Sequence, residues 1–172
     1  MKKNIIIIFI IISVIKSAYS QSKIEGRFEV GYLLFTHVDS QKINLPSLQE
    51  KLYGVDINMI CGLEMTQKAF IGIGIGYLNF DLNNSGIQGL SAFSTFEFLP
   101  PSYRKVNLYF RSNLGYSQLW SRNNNETGTL LVELNIGLKQ QLNRKMQISL
   151  HSGVLFTQNS FLIPIRLGIG LK

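Results

Sequence analysis

The sequence predicts an all-β protein: an eight-stranded antiparallel up-and-down transmembrane β-barrel preceded by a cleaved signal peptide. Three observations carry that expectation. The chain opens with two lysines, an apolar run and then small residues. Eight later stretches alternate apolar side chains with polar residues or glycine, and no charge falls on an apolar face. The links between those stretches alternate between brief turns and mostly longer polar segments.

Composition sets the frame. The chain has 172 residues, 45% hydrophobic and 16% charged, with 15 Gly and one Cys. That fits one folded domain and is too apolar and too weakly charged for a disordered chain. A single cysteine, Cys61, excludes both a disulfide framework and a cysteine-rich zinc site, and Cys61 itself is expected to be inert.

Residues 1–20 are expected to be a signal peptide and residues 21–172 the barrel domain. Lys2 and Lys3 precede the apolar run 5–15, and Ala18-Tyr19-Ser20 place small residues where a signal peptidase cuts, ahead of Gln21. The competing reading, a membrane anchor, needs about 20 apolar residues, more than this run supplies. No Cys lies near the cleavage site, so a lipoprotein is not expected. Without Lys2, Lys3 and Lys16 the chain keeps 14 basic and 10 acidic residues, a charge of +4 that gives little support to nucleic-acid binding.

The strands are expected at 24–35, 54–65, 70–77, 90–99, 106–117, 129–141, 146–156 and 163–171. In the sixth, Leu130, Val132, Leu134, Ile136 and Leu138 oppose Thr129, Glu133, Asn135, Gly137 and Lys139. The fifth and eighth are nearly as clean. Ten charged residues lie in these strands, namely Glu25, Arg27, Glu29, Asp56, Glu64, Glu97, Arg111, Glu133, Lys139 and Arg166, and all occupy the face opposite the apolar one. Random assignment would have placed several on each face.

Alternation alone does not separate a soluble barrel with a greasy interior from a membrane barrel with a greasy exterior. Glycine decides it. Eleven of the 15 glycines, including Gly31, Gly74, Gly115 and Gly168, share the polar face, and the lumen of eight strands has little room for side chains. The polar face therefore points inward, with its acids and bases expected to pair across the lumen. Aromatic residues agree: Tyr32, Tyr53, Tyr77, Tyr116, Trp120, Phe156 and Phe161 gather near the longer links, and Phe28, Phe98, Tyr103 and Phe110 near the short turns, as two interfacial girdles would.

Signal peptide, eight amphipathic strands, alternating short and long connections, and the ending Ile163-Pro164-Ile165-Arg166-Leu167-Gly168-Ile169-Gly170-Leu171-Lys172 together resemble the small outer-membrane β-barrel family of Gram-negative bacteria. The resemblance covers essentially the whole mature chain. It implies residence in the bacterial outer membrane, contact with outer-membrane lipid, and passage through the barrel assembly machinery. The chain departs from the pattern in ending Leu171-Lys172, where members commonly carry an aromatic residue that this machinery reads.

Chemical motifs are few. Gly72-Ile73-Gly74-Ile75-Gly76 looks like a phosphate loop, but Tyr77 stands where a third glycine would be needed, so strand glycines facing the lumen are the better reading. His37, Asp39 and Ser40 share the first long link, and some barrels resembling this one are lipid A acyltransferases with such residues near the outer rim; an ordinary solvated loop is favoured. His151 is expected to be a hydrogen-bonded lumen residue. Two histidines and one cysteine on separate elements suggest no metal, and no cofactor is expected. The basic residues of the short turns, Lys68, Arg104, Lys105, Arg144 and Lys145, are read as solvated anchors in preference to a patch for anionic lipid or nucleic acid.

Three functions remain. The favoured one is a non-catalytic, monomeric outer-membrane barrel that presents its long loops to an extracellular or envelope protein partner, with Leu45, Leu48 and Trp120 as apolar loop candidates. A narrow conduit for a small solute and a lipid A-modifying enzyme are the alternatives.

Overall fold

A computed structural model describes residues 23–38, 53–66, 68–80, 87–100, 105–120, 126–158 and 160–172. The expected signal peptide lies outside the described residues. Eight strands follow one another in chain order: β1 (Lys23–Val38), β2 (Tyr53–Thr66), β3 (Ala69–Asn79), β4 (Gln88–Phe98), β5 (Val106–Trp120), β6 (Glu126–Gln141), β7 (Met146–Thr157) and β8 (Ser160–Leu171). Each pairs antiparallel with its neighbours, and β1 pairs with β8, so the sheet closes into a barrel. Closure leaves no unpaired edge, which a spanning sheet requires because lipid offers backbone groups no hydrogen bonds.

All eight strands stand where alternation put them, and the hairpins run further than alternation indicated. Trp120, Leu119 and Gln118 pair with Glu126, Thr127 and Gly128, so the third outer link shrinks to residues 121–125. Ladder hydrogen bonds use the backbone alone, and polar residues continue them without any apolar face to reveal it. Trp120, expected in a loop, is instead the last residue of β5, on its outward face. Between β7 and β8 the chain turns tightly after Thr157, and Gln158 adopts a positive φ of 51°, which the primed turns of two-residue hairpins require.

The faces are assigned by burial. Ile73, Leu134 and Leu167 point outward and are at least 60% exposed, whereas Glu97, Arg111 and Glu133 on the same strands or their neighbours are buried in the lumen. Because the side-chain period is two, the outward row of each strand is continuous, and large aliphatic residues dominate it. Tyr32 stacks on Tyr53 with ring centroids 6.0 Å apart, and Phe156 meets Phe161 at 5.1 Å, both pairs near the ends of the strands that lead to the outer links. Phe28, Phe98 and Phe110 are exposed toward the opposite end.

Lumen glycines make the inner packing possible. A Cβ at Gly74 would stand 2.5 Å from the Phe93 ring, and one at Gly115 would stand 2.6 Å from the Phe93 Cα. The small inner surface of β3 and β5 is thus the space into which Phe93 folds.

Replacing Leu134 with Arg should destabilise the protein in lipid vesicles by roughly 2 to 4 kcal/mol, since it puts a charge on the outward face at mid-strand. Urea titration followed by fluorescence of Trp120, the single tryptophan, measures this; an unchanged midpoint would mean that this face does not meet hydrocarbon.

Candidate functional site

The lumen is where the chain concentrates its chemistry. Glu97 on β4 lies at the centre of it. Arg111, its direct cross-strand partner on β5, donates to Glu97 Oε2 from Nη2 at 3.0 Å and from Nε at 3.2 Å. Arg27 reaches the same carboxylate from β1, with Nη1 at 2.5 Å from Oε2, and Lys139 on β6 donates to Oε1. Three cations thus converge on one buried carboxylate. Arg111 also spans the lumen to Glu29 on β1, with Nη1 2.6 Å from Oε1. The inner surface supplies aromatic support: the Arg27 guanidinium stacks 3.7 Å from the centre of the Phe70 ring.

A second cluster sits beside the first. Arg166 on β8 donates to Asp56 on β2 through Nε at 2.7 Å and to Glu133 on β6 through Nη1. Asn58 donates to Asp56 at 3.0 Å and Asn113 to Glu133 at 2.7 Å, satisfying further lone pairs. Glu25 accepts from Arg27 and from Gln147. The links from Arg166 to Asp56 and Glu133 and from Gln147 to Glu25 run between strands that are not neighbours in the sheet, so they brace the wall from inside. An ion buried without partners costs several kcal/mol, and this pairing offsets part of that cost.

Nine of the ten charged residues expected in the lumen are buried there: Glu25, Arg27, Glu29, Asp56, Glu97, Arg111, Glu133, Lys139 and Arg166. Glu64 is the exception. It faces Lys23 at the very start of β1, two residues before the end of β2, and this places it at the mouth. There it is half-buried and pairs with Lys172, the last residue of the chain. Its parity indicated the inner face correctly, but depth along the barrel depends on where the neighbouring strand begins.

His151 is a hydrogen-bonded lumen residue. Its Nδ1 lies 2.8 Å from the hydroxyl of Tyr109, and its Nε2 lies 3.7 Å from Glu29. Asp39 and Ser40, like Leu45 and Leu48, lie outside the described residues, and the His37 side chain does too. Among the described residues no group of three or more His, Cys, Asp or Glu side chains could hold a metal ion.

Alternation did not reveal a second layer of the lumen. Leu33, Leu78, Leu119, Leu131, Leu155 and Leu162, toward the strand ends nearest the outer links, and Phe80 and Ile87, just beyond β3 and before β4, are all buried. An apolar layer therefore closes the barrel at that end, above the charged one. Several of these residues lie on the polar-face parity of their strands; absence of charge on the apolar face marks the lipid side but carries no information about leucines that face inward.

No protein-family model matches the chain, and no curated protein matches it in sequence. Solved structures do match. Neisserial surface protein A superposes with a TM-score of 0.69 at 7% identity, covering 88% of this chain and 98% of that one. The N-terminal β-barrel domain of Pseudomonas aeruginosa OprF gives 0.61 at 10% identity, over 88% and 98%. Ail, the attachment invasion locus protein of Yersinia pestis, gives 0.53 at 11% identity, over 87% and 96%. The chain has the fold of the small outer-membrane β-barrels.

Glu97→Gln should cost about 3 to 5 kcal/mol, because it leaves Arg27, Arg111 and Lys139 buried around a neutral group. Glu64→Gln at the mouth should cost no more than about 1 kcal/mol. Parallel urea titrations in vesicles compare the two; equal losses would mean that the central cluster is not the inner brace.

Proposed function

We propose that the protein is a non-catalytic integral outer-membrane β-barrel, freed of residues 1–20 on export, that works through the segments it exposes at its outer end. The observation that carries this reading is the filled lumen. Arg27 to Glu97 and Arg111 to Glu29 cross it, Arg166 joins three strands, and an apolar layer lies over them. A solute would have to part buried ion pairs to pass. Eight strands leave an interior that side chains just fill.

Such a barrel is a scaffold, and the reading assigns partner contact to the outer links, residues 39–52, 81–86 and 121–125. Leu45 and Leu48 in the first of these remain the apolar candidates for partner contact, with Trp120 at the base of the third. Two barrels of this fold bear names that fit a role at the cell surface, Neisserial surface protein A and the attachment invasion locus protein. The location follows from the outward rows of aliphatic residues, which water would not tolerate over so much of the surface.

Two measurements test the reading. In planar bilayers at ordinary salt the purified protein should give no steady ohmic conductance, whereas regular channels would favour a conduit. Removal of residues 41–49 and 122–124 should leave heat-modifiable migration on detergent gels intact while abolishing capture of an envelope or extracellular partner. A deletion strain should keep its lipid A composition; altered lipid A would favour the enzyme.

A further inference from the structure

Among the described residues, the exposed charges are unevenly distributed along the barrel axis. Lys23, Lys68, Lys105, Arg144, Lys145 and Lys172 all stand at the end that carries the short turns and both strand termini. They occupy the start of β1, the β2–β3, β4–β5 and β6–β7 connections and the end of β8, so they encircle the closed rim. The first five are exposed. Among the described acids, Glu64 alone stands at this rim, and Lys172 already pairs with it. Glu25 and Glu97, the next acids inward, are buried and held by Arg27, Arg111 and Lys139. Among the described residues no carboxylate pairs with Lys23, Lys68, Lys105, Arg144 or Lys145.

The turns hold these cations in place. Asn143 Oδ1 accepts from the backbone N–H groups of Lys145 and Met146, each at 2.8 Å. The Lys145 carbonyl accepts from Lys172 N at 2.9 Å and the Lys68 carbonyl from Leu99 N at 2.7 Å. The backbone is thereby satisfied while the charged ends stay free. Toward the same end the outward face carries Phe28, Phe98 and Phe110, rings that mark the edge of the hydrocarbon. A ring of unpaired cations just beyond an aromatic edge stands at the depth of lipid phosphates.

We propose that this rim is a binding surface for anionic phospholipid headgroups in the leaflet that the short turns face. The inference rests on the membrane reading above and adds a lipid preference to it. The chemistry recognised is a phosphate monoanion on a lipid without a compensating cation, such as phosphatidylglycerol, against zwitterionic phosphatidylcholine. A basic residue at an anionic surface contributes enough for about a fivefold preference, and screening by salt weakens it.

The test uses the full mature chain folded in phosphatidylcholine vesicles, with trace spin-labelled phosphatidylglycerol or phosphatidylcholine reporting which lipid the protein immobilises. The expected result is a preference for phosphatidylglycerol of at least about fivefold at ~0.1 M salt, lost at high salt and lost in the combined variant Lys68→Gln, Lys105→Gln, Arg144→Gln, Lys145→Gln. These side chains lie outside the lumen, so the variant should fold, and its heat-modifiable migration checks that. Equal immobilisation of both lipids by the wild type, or a preference that survives in the folded variant, overturns the proposal. Salt-sensitive binding of soluble polyglutamate without any lipid preference also overturns it, and assigns the rim to an acidic polymer. Failure to fold into neutral vesicles at all would count against the membrane reading itself, which folding without lipid preference would leave standing.

Discussion

Charge cannot face hydrocarbon, and in a closed sheet of eight strands the only other direction is inward. Every strand has two faces, and one must meet lipid. Between the two rims the strand charges therefore enter a lumen too narrow to hold water around each of them, and they must neutralise one another there. Glu97 is the centre of that solution. Arg27, Arg111 and Lys139 reach it from β1, β5 and β6, and Arg111 continues across to Glu29. Glycine supplies the space: a Cβ at Gly74 would stand against the Phe93 ring, and one at Gly115 against the Phe93 Cα and Cβ. Ion pairs, aromatic filling and glycine are thus consequences of one constraint.

The same constraint explains what could be read from the sequence. A strand in a membrane barrel makes a binary choice of face at every residue, and lipid penalises error heavily. Leu130, Val132, Leu134, Ile136 and Leu138 therefore announce β6 and its outward side together. Which charges meet inside is a different matter. Arg27 and Glu97 are 70 residues apart and meet only because the tilt of a closed barrel brings β1 toward β4 across the lumen. No local pattern encodes that. Glu64 illustrates the limit along the axis: its face was legible and its depth was not, because depth depends on the start of β1 and on Lys172, which follows the end of β8.

The buried apolar layer was hidden for a related reason. Leu33, Leu119, Leu131, Leu155 and Leu162 occupy inward parity near the outer ends of their strands, where a leucine on the polar face looks like noise in the alternation. In the folded chain these residues form one cluster that closes the outer end of the lumen over the ion pairs. The extra rungs of the hairpins were equally silent, since backbone pairing of Trp120 with Glu126 needs no apolar residue. With the lumen filled from both layers, the exposed basic residues of the short turns are left at one end of the barrel.

Cys61 offers the most direct test, because it is the single cysteine and lies on the outward face of β2 beside Gly26 and Ile73. A fluorophore attached to Cys61 in the folded protein, in vesicles whose acyl chains carry bromine, should be strongly quenched by the lipid and hardly affected by aqueous iodide. A thiol that cannot be labelled without unfolding, or a label quenched by iodide and indifferent to brominated chains, would place that face away from lipid and contradict the account.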